Sequence, residues 1–285
     1  MSAFNPLNLD LESPHKPSKL EHTVFTLLAT YLPETSSITA NQAAEQVDDL
    51  VPSHHQSSEE EKYVQTTGDF LFEFWELMFR IAVQLDYQRE PMQRFIALVK
   101  ALRTFPETKL IQHGGIYDGE PVWRSGFYFG PMLHERWDQT PAYETPRNPY
   151  ALRWRNMNGL LAHLTNQNLS TYDFHALACI SHALETFRRK KPKTPINHRV
   201  PAASIWFALC PSMIYLACQR HECADRELSG ELWKGEPQQG YSIARWNFWR
   251  KRFKELECHS DATEETKEAC RSAIEVMDRY PDGSE

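Results

Sequence analysis

The sequence is poor in glycine and has no excess of positive charge. Only 11 of its 285 residues are Gly, against 8 Trp, 11 Tyr and 15 Phe, which argues against a loop-rich chain and favours packed helices. The formal net charge is −7, so bulk electrostatics give no reason to expect nucleic acid or an anionic membrane as a partner. Hydrophobic residues make up 41% of the chain, enough at this length to bury a substantial core.

The sequence predicts neither a disulfide scaffold nor a secretory signal nor a clear membrane span. The six cysteines are few and scattered, so we expect reduced thiols in a cytoplasmic or nuclear protein. A secretory signal has an apolar core next to basic side chains, and the first residues of this sequence do not show that pattern. One uncharged run, residues 200–219, has the length of a membrane span. Because Pro211 and Ser212 interrupt it, we interpret this run as a buried central helix kinked at Pro211, with membrane contact as the alternative.

The hydrophobic periodicity predicts an all-α fold, an irregular bundle of about nine or ten helices. A disordered tail is expected over residues 1–20, a single helical domain over residues 21–280 and a short tail over residues 281–285. Between residues 105 and 149 the helical pattern stops. There Asp118-Gly119 predicts a hairpin turn within a small extended excursion near residues 109–130.

One long helix is predicted to begin at a capping box, Ser58-x-x-Glu61, and to continue to residue 85. Its second half carries one narrow polar stripe on an otherwise apolar surface that includes Phe72. Such a pattern is typical of a helix in the middle of a bundle. The stripe consists of Asp69, Glu73, Glu76, Arg80 and Gln84.

The stretch GYSIARWNFWRKRFKEL, residues 240–256, mixes aromatic and basic side chains. Helical spacing places Trp246, Trp249, Phe253 and Leu256 on one face, which predicts a core helix capped by Ser242. The basic side chains spread over the remaining circumference, where their stems can cover apolar neighbours with the charges in water. A nucleic-acid surface would need both kinds of group on one face. The predicted solvent-facing side chains are Arg245, Arg250, Lys251, Arg252 and Lys254.

This stretch resembles the C-terminal block of a fungal protein family, domain of unknown function 3632. Two further stretches, VWRSGFYFGPMLHERWD and WRNMNGLLAHLT, resemble other blocks of that family. The resemblance covers roughly residues 60–279. It implies an intracellular, largely helical fungal protein, with members near natural-product biosynthetic genes, and it carries over no catalytic residue.

Common catalytic motifs are missing. The sequence has no glycine-rich phosphate loop, no dinucleotide fingerprint, no His-Glu-x-x-His and no Gly-x-Ser-x-Gly. Cys218, His221 and Cys223 have zinc-ligand residue types, but their spacing matches no familiar zinc finger, so packed thiols are the preferred interpretation and no metal or cofactor is expected. A His182–Glu185 pair is a possible general base; histidines bonded inside a bundle are the commoner case.

The candidate ligand-pocket residues are Trp154, Asn158 and His182. Trp154 and Asn158 lie one helical turn apart, and a buried amide needs hydrogen-bond partners. The structural interpretation is a bond from Asn158 to the backbone of a neighbouring helix. The functional interpretation is a polar anchor in an aromatic pocket.

The stretch RRKKPK carries five cations around a proline, a pattern typical of a nuclear-import signal. The alternative is a solvated loop that complements the C-terminal dipole of the preceding helix. The candidate residues are Arg188, Arg189, Lys190, Lys191 and Lys193.

We therefore expect a soluble, non-catalytic interaction or scaffold protein of the cytoplasm or nucleus, with an unidentified protein partner and no nucleic acid. The alternative is an accessory enzyme or small-molecule-binding protein of fungal secondary-metabolite biosynthesis. An exposed apolar patch over a solid core would favour the first function. A tryptophan-lined cavity holding Asn158 or a histidine would favour the second.

Overall fold

The computed structural model describes residues 7–12, 15–52, 66–106, 109–111, 116–140, 150–169, 173–186, 196–223, 229–235 and 239–281. These residues form eleven α-helices and no strand, which confirms the predicted all-α class. The chain divides into two compact units, unit 1 (Met1–Gln139) and unit 2 (Thr140–Glu285). The prediction of one helical domain over residues 21–280 stays a prediction.

Unit 1 contains the first five helices. Helix α2 packs against α4, while α3 packs against α1 and α5. The bounds are α1 Lys19–Tyr31, α2 Ala40–Asp48, α3 Thr67–Ala82, α4 Glu90–Arg103 and α5 Phe129–Gln139.

Helix α3 begins later than the sequence predicts. Thr66 is its N-cap: the Thr66 hydroxyl accepts from Asp69 N, and the Asp69 carboxylate accepts from Thr66 N. This reciprocal capping box satisfies two backbone donors at the helix start and fixes that start at Thr67. The predicted cap at Ser58 lies outside the described residues.

The polar stripe of α3 is covered by other parts of unit 1. Arg80, which is 3% exposed, pairs with Glu21 of α1 and, at 2.9 Å, with Glu76 one turn earlier on α3. Glu76 also accepts a hydrogen bond from Nη2 of Arg136 on α5, at 2.8 Å. Because the three helices share these charges, the stripe is a chain of ion pairs that fastens α1 and α5 to α3.

Residues of the predicted N-terminal tail contact the same stripe. Leu9 is buried, and Asp10 exchanges two hydrogen bonds with the Gln84 side chain, at 2.8 and 2.7 Å. Ser18 caps α1 in a box with Glu21. Residues 9 and 10 are therefore held against the chain just after the C-terminal end of α3.

The stretch between residues 105 and 149 was expected to lack a helix, and that expectation is wrong for α5. Pro131 lies in the first turn of α5, where a missing N–H costs little. Upstream of α5, Ile111 and Glu120 are joined by a backbone hydrogen bond of 2.8 Å, and Leu110 and Pro121 form an isolated antiparallel bridge. This is the small extended excursion that Asp118-Gly119 predicts.

Unit 2 contains the remaining six helices. Helix α8 packs against α6, α7 and α11, and α10 packs against α7, α9 and α11. The bounds are α6 Tyr150–Asn166, α7 Asp173–Leu184, α8 Ile196–Leu209, α9 Pro211–Arg220, α10 Ile243–Glu257 and α11 Glu264–Met277.

The uncharged run at residues 200–219 is two helices rather than one kinked helix. The chain turns by 86° between α8 and α9, and Cys210 at the break leaves helical geometry. Pro211 then occupies the first position of α9, where proline is favoured. Among the described residues no single helix is long and apolar enough to cross a membrane, and only this bent pair reaches the required length and composition together.

Candidate functional site

A fully buried ion pair joins α10 to the end of α7. Arg245 donates from Nε to Oε1 of Glu185 at 2.7 Å and from Nη2 to Oε2 at 2.8 Å, and both side chains are 0% exposed. Arg245 also donates to the Gly240 carbonyl and to Oγ of Ser181. Oε1 of Glu185 also accepts from Nε1 of Trp249, at 2.6 Å. The arginine was predicted to face solvent, and that prediction is wrong.

A loop closes over the carboxylate from the other side. Gly230 N donates to Oε2 of Glu185 at 2.8 Å, and Leu232 N donates to the Glu185 carbonyl, also at 2.8 Å. A Cβ on Gly230 would lie 2.5 Å from backbone atoms of Glu185. Only glycine therefore allows this loop to approach so closely. These donors and the Arg245 guanidinium hold Glu185 as a buried counter-charge.

The predicted pocket residues have different surroundings. Asn158 is fully buried; its amide donates to the Trp154 carbonyl at 2.9 Å, and its carbonyl accepts from Nε1 of Trp206 on α8 at 3.0 Å. The expected neighbouring-helix partner of Asn158 is thus an indole rather than a backbone group. Trp154 is buried beside it, whereas the His182 side chain is exposed. This geometry fastens α6 to α8, which is a packing role.

Four of the thiols are unsuited to nucleophilic chemistry. Burial raises the pKa of Cys179, Cys210, Cys218 and Cys270 to about 12, so almost none is thiolate near neutral pH. Among the described residues no group of three or more His, Cys, Asp and Glu side chains is arranged to hold a metal ion. The import candidates at residues 188–193 lie outside the described residues.

Unit 1 carries a contiguous run of partly exposed aromatic side chains, which we call the aromatic surface. It consists of Phe72, Tyr117, Phe127 and Tyr128. The ring centroids of Phe72 and Tyr128 are 5.4 Å apart, those of Tyr128 and Phe127 4.2 Å, and those of Phe127 and Tyr117 4.7 Å. Phe72 is 46% exposed and Tyr117 38% exposed. Contiguous exposed apolar surfaces are often functional, whereas apolar side chains exposed singly need no explanation.

The turn before α5 creates this surface. Phe129 is buried against Trp75, with ring centroids 4.8 Å apart, and Arg103 lies over its ring. Tyr128 has φ 61°, a left-handed conformation that is rare for a bulky side chain. This conformation costs roughly 1–2 kcal/mol relative to an ordinary helical one. Burial of Phe129 offsets that cost and leaves Phe127 and Tyr128 partly exposed.

A cleft of about 280 Å³ adjoins the aromatic surface, because Phe72 belongs to both. The Glu76–Arg136 ion pair and the side chain of Met132 lie along it. At its exposed side Glu135 accepts a hydrogen bond from Gln139 at 2.7 Å. The cleft is lined by Phe72, Glu76, Met132, Glu135, Arg136 and Gln139.

Sequence reasoning missed both the ion pair and the aromatic surface. Glu185 and Arg245 are 60 residues apart, and neither differs in type from an exposed charged residue. Phe72 was counted with the apolar side of α3. One available signal was the run Phe127-Tyr128-Phe129, because three consecutive aromatics cannot all face one core.

The model of a family described as "Protein of unknown function (DUF3632)" matches residues 75–253. This is more than half of the chain, so the chain belongs to that family, and the resemblance seen in the sequence is confirmed. The matched range includes both residues of the buried ion pair and the whole of α5. No curated protein and no solved structure matches the chain.

Proposed function

We propose that this chain is a non-catalytic interaction protein that binds a protein partner through the aromatic surface of unit 1. The observation that carries the proposal is the continuous run of partly exposed rings from Tyr117 to Phe72. Tyrosine and phenylalanine provide large contact area with few rotatable bonds, and aromatic residues are enriched where proteins meet. The residues first considered for chemistry support the same proposal, because Asn158 and Glu185 are engaged in helix packing.

The conformational cost at Tyr128 also supports this proposal. A left-handed tyrosine lowers stability without filling the core, and such strain clusters at functional positions. Asn adopts this backbone conformation more readily. We expect Tyr128→Asn to leave the melting temperature unchanged or slightly higher, and to weaken partner binding.

Photo-crosslinking tests the proposal directly. p-Benzoylphenylalanine is placed at Tyr117 in the full-length protein, in cells of its natural host, and at Leu152 of unit 2 as a control that is 57% exposed. We expect a discrete adduct from position 117 only, and we expect Tyr128→Asn in the same chain to reduce its yield. Identical adducts from both positions, or a yield that Tyr128→Asn leaves unchanged, would contradict the proposal. An adduct with the mass of two copies would identify the partner as the chain itself.

The alternative is a small-molecule-binding or accessory enzymatic role in fungal secondary metabolism. The cleft in unit 1 is the observation that bears on it, although its volume of about 280 Å³ lies below the roughly 300–1,000 Å³ usual for ligand pockets. Native mass spectrometry of the protein purified from its host separates the two roles. A retained small molecule that is lost in Met132→Trp would favour the alternative.

A nuclear or cytoplasmic location belongs to the same proposal. A fluorescent fusion compared with its Lys190→Ala/Lys191→Ala variant shows whether the basic stretch is read as an import signal. Equal distribution of both fusions would leave the loop interpretation in place.

A further inference from the structure

The cleft beside the aromatic surface has the size of a socket for one side chain. Its volume of about 280 Å³ is small for a drug-sized ligand and ample for one leucine, methionine or phenylalanine side chain. Phe72 and Met132 supply its apolar lining. Interfaces commonly concentrate their binding energy in one such anchored side chain.

The charged groups at the cleft differ in how they are engaged. Glu76 is held between Arg80 at 2.9 Å and Arg136 at 2.8 Å, so the charge at that wall is locally compensated. Glu135 is exposed, and among the described residues it forms no ion pair with a basic side chain; its hydrogen bond from Gln139 comes from a neutral amide. The cleft therefore presents an uncompensated carboxylate next to an apolar socket.

Unit 1 as a whole carries an excess of negative charge, like the exposed Glu135 carboxylate beside the cleft. Residues 1–139 contain nearly twice as many acidic as basic side chains, whereas residues 140–285 are close to balanced. An acidic unit repels nucleic acid and anionic membranes and attracts basic segments of other proteins. The carboxylates of Asp118 and Glu120 are exposed in the stretch that carries Tyr117.

We propose that the partner is a protein segment with an apolar side chain and a neighbouring arginine or lysine. The apolar side chain enters the cleft between Phe72 and Met132, and the cation pairs with Glu135. This inference rests on the proposed function, since it names the chemistry of the segment that the aromatic surface receives.

A random peptide library displayed on phage, panned on the full-length protein, tests this chemistry without a known partner. We expect the enriched peptides to combine a Leu, Met or Phe with Arg or Lys. In fluorescence anisotropy an enriched peptide should lose binding to Met132→Trp, which fills the cleft, and bind several-fold more weakly to Glu135→Lys. Salt should diminish the second effect, because it screens exposed charges.

Glu45→Lys is the matched control, since Glu45 is an exposed glutamate of α2 in the same unit. It changes the net charge equally and should weaken binding much less than Glu135→Lys. Unchanged circular dichroism and melting temperature show that each variant is folded.

Acidic or uncharged consensus peptides, no enrichment over a blank surface, or equal losses in Glu135→Lys and Glu45→Lys would each overturn the inference. So would tight binding to a folded Met132→Trp variant. If crosslinking from Tyr117 persists in any of these cases, the interaction surface stands and only its assigned partner chemistry falls. If crosslinking is also absent, both fall.

Discussion

Neutralising one member of the Arg245–Glu185 pair should strongly destabilise unit 2. In Arg245→Met, the Glu185 carboxylate stays fully buried with two donors, Trp249 Nε1 and Gly230 N, and loses its counter-charge. Removing one partner of a buried ion pair costs about 3–5 kcal/mol, because the remaining charge is neither solvated nor paired. We expect a loss of that size in the free energy of unfolding.

A double variant measures how strongly the two charges depend on each other. Glu185→Gln keeps an acceptor for only one of the two donors, because Trp249 and Gly230 bond to different carboxylate oxygens. It also leaves the Arg245 guanidinium without a counter-charge, so it should cost a similar amount. In Arg245→Met/Glu185→Gln no buried charge remains. The loss should therefore be well below the sum of the two single losses, which is the sign of a coupled pair.

Urea titration followed by tryptophan fluorescence measures these changes, since Trp249 contacts the pair directly. Arg250→Met is the control, because the Arg250–Asp278 pair, at 3.3 Å, leaves Asp278 half exposed. It should cost about 1 kcal/mol or less. The reasoning is refuted if Arg245→Met costs no more than this control, or if the single losses add in the double variant.

Three further predictions follow from the burial of particular groups. Because Cys223 and Cys258 are the exposed thiols, we expect two of the six cysteines to react quickly with a thiol reagent at pH 8 and all six after denaturation; four or more fast thiols would contradict the assigned burial. Gly230→Ala should destabilise unit 2, since its Cβ would lie 2.5 Å from Glu185 backbone atoms, and an unchanged urea midpoint would show that the loop moves freely. Burial, with a smaller contribution from a nearby arginine, lowers the pKa of His198 from 6.5 to about 4. The unfolded chain then binds the extra proton first, so this contribution to stability is complete above pH 6.5 and is lost as the pH falls towards 4. The slope of stability against pH in this window should flatten in His198→Gln, and an unchanged slope would exclude this histidine as its source.

Local patterns predicted several elements well. The spacing of Trp246, Trp249 and Phe253 identified the buried face of α10, and Ser242 was recognised as its cap. These features depend on residues within a few positions of each other, where helical periodicity and capping chemistry act. The start of α3 was misplaced because the sequence pattern Ser58-x-x-Glu61 precedes the same apolar pattern as Thr66, which is the N-cap of α3.

Other features depended on contacts that no local pattern contains. Pro211 is compatible with a kink or with the first position of a new helix. In the folded chain a new helix begins there, and α8 and α9 meet at 86°. Helix α5 was missed since its eleven residues begin with Phe-Gly-Pro, and its stability comes from packing Phe129 against Trp75.

The helical class and most helix positions could be predicted from the sequence, because periodicity and capping are properties of neighbouring residues. The family could be recognised from a few short stretches. Which charged and aromatic side chains are buried depends instead on contacts between residues that are distant in the sequence. Arg245 is buried because Glu185, 60 residues away, meets it in the core, and Phe72 is partly exposed although it belongs to an apolar helix. Burial of a charge is favourable only when a partner arrives with the right geometry. The meeting of Arg245 and Glu185 is a property of the folded chain. The exposure of the aromatic surface is another such property.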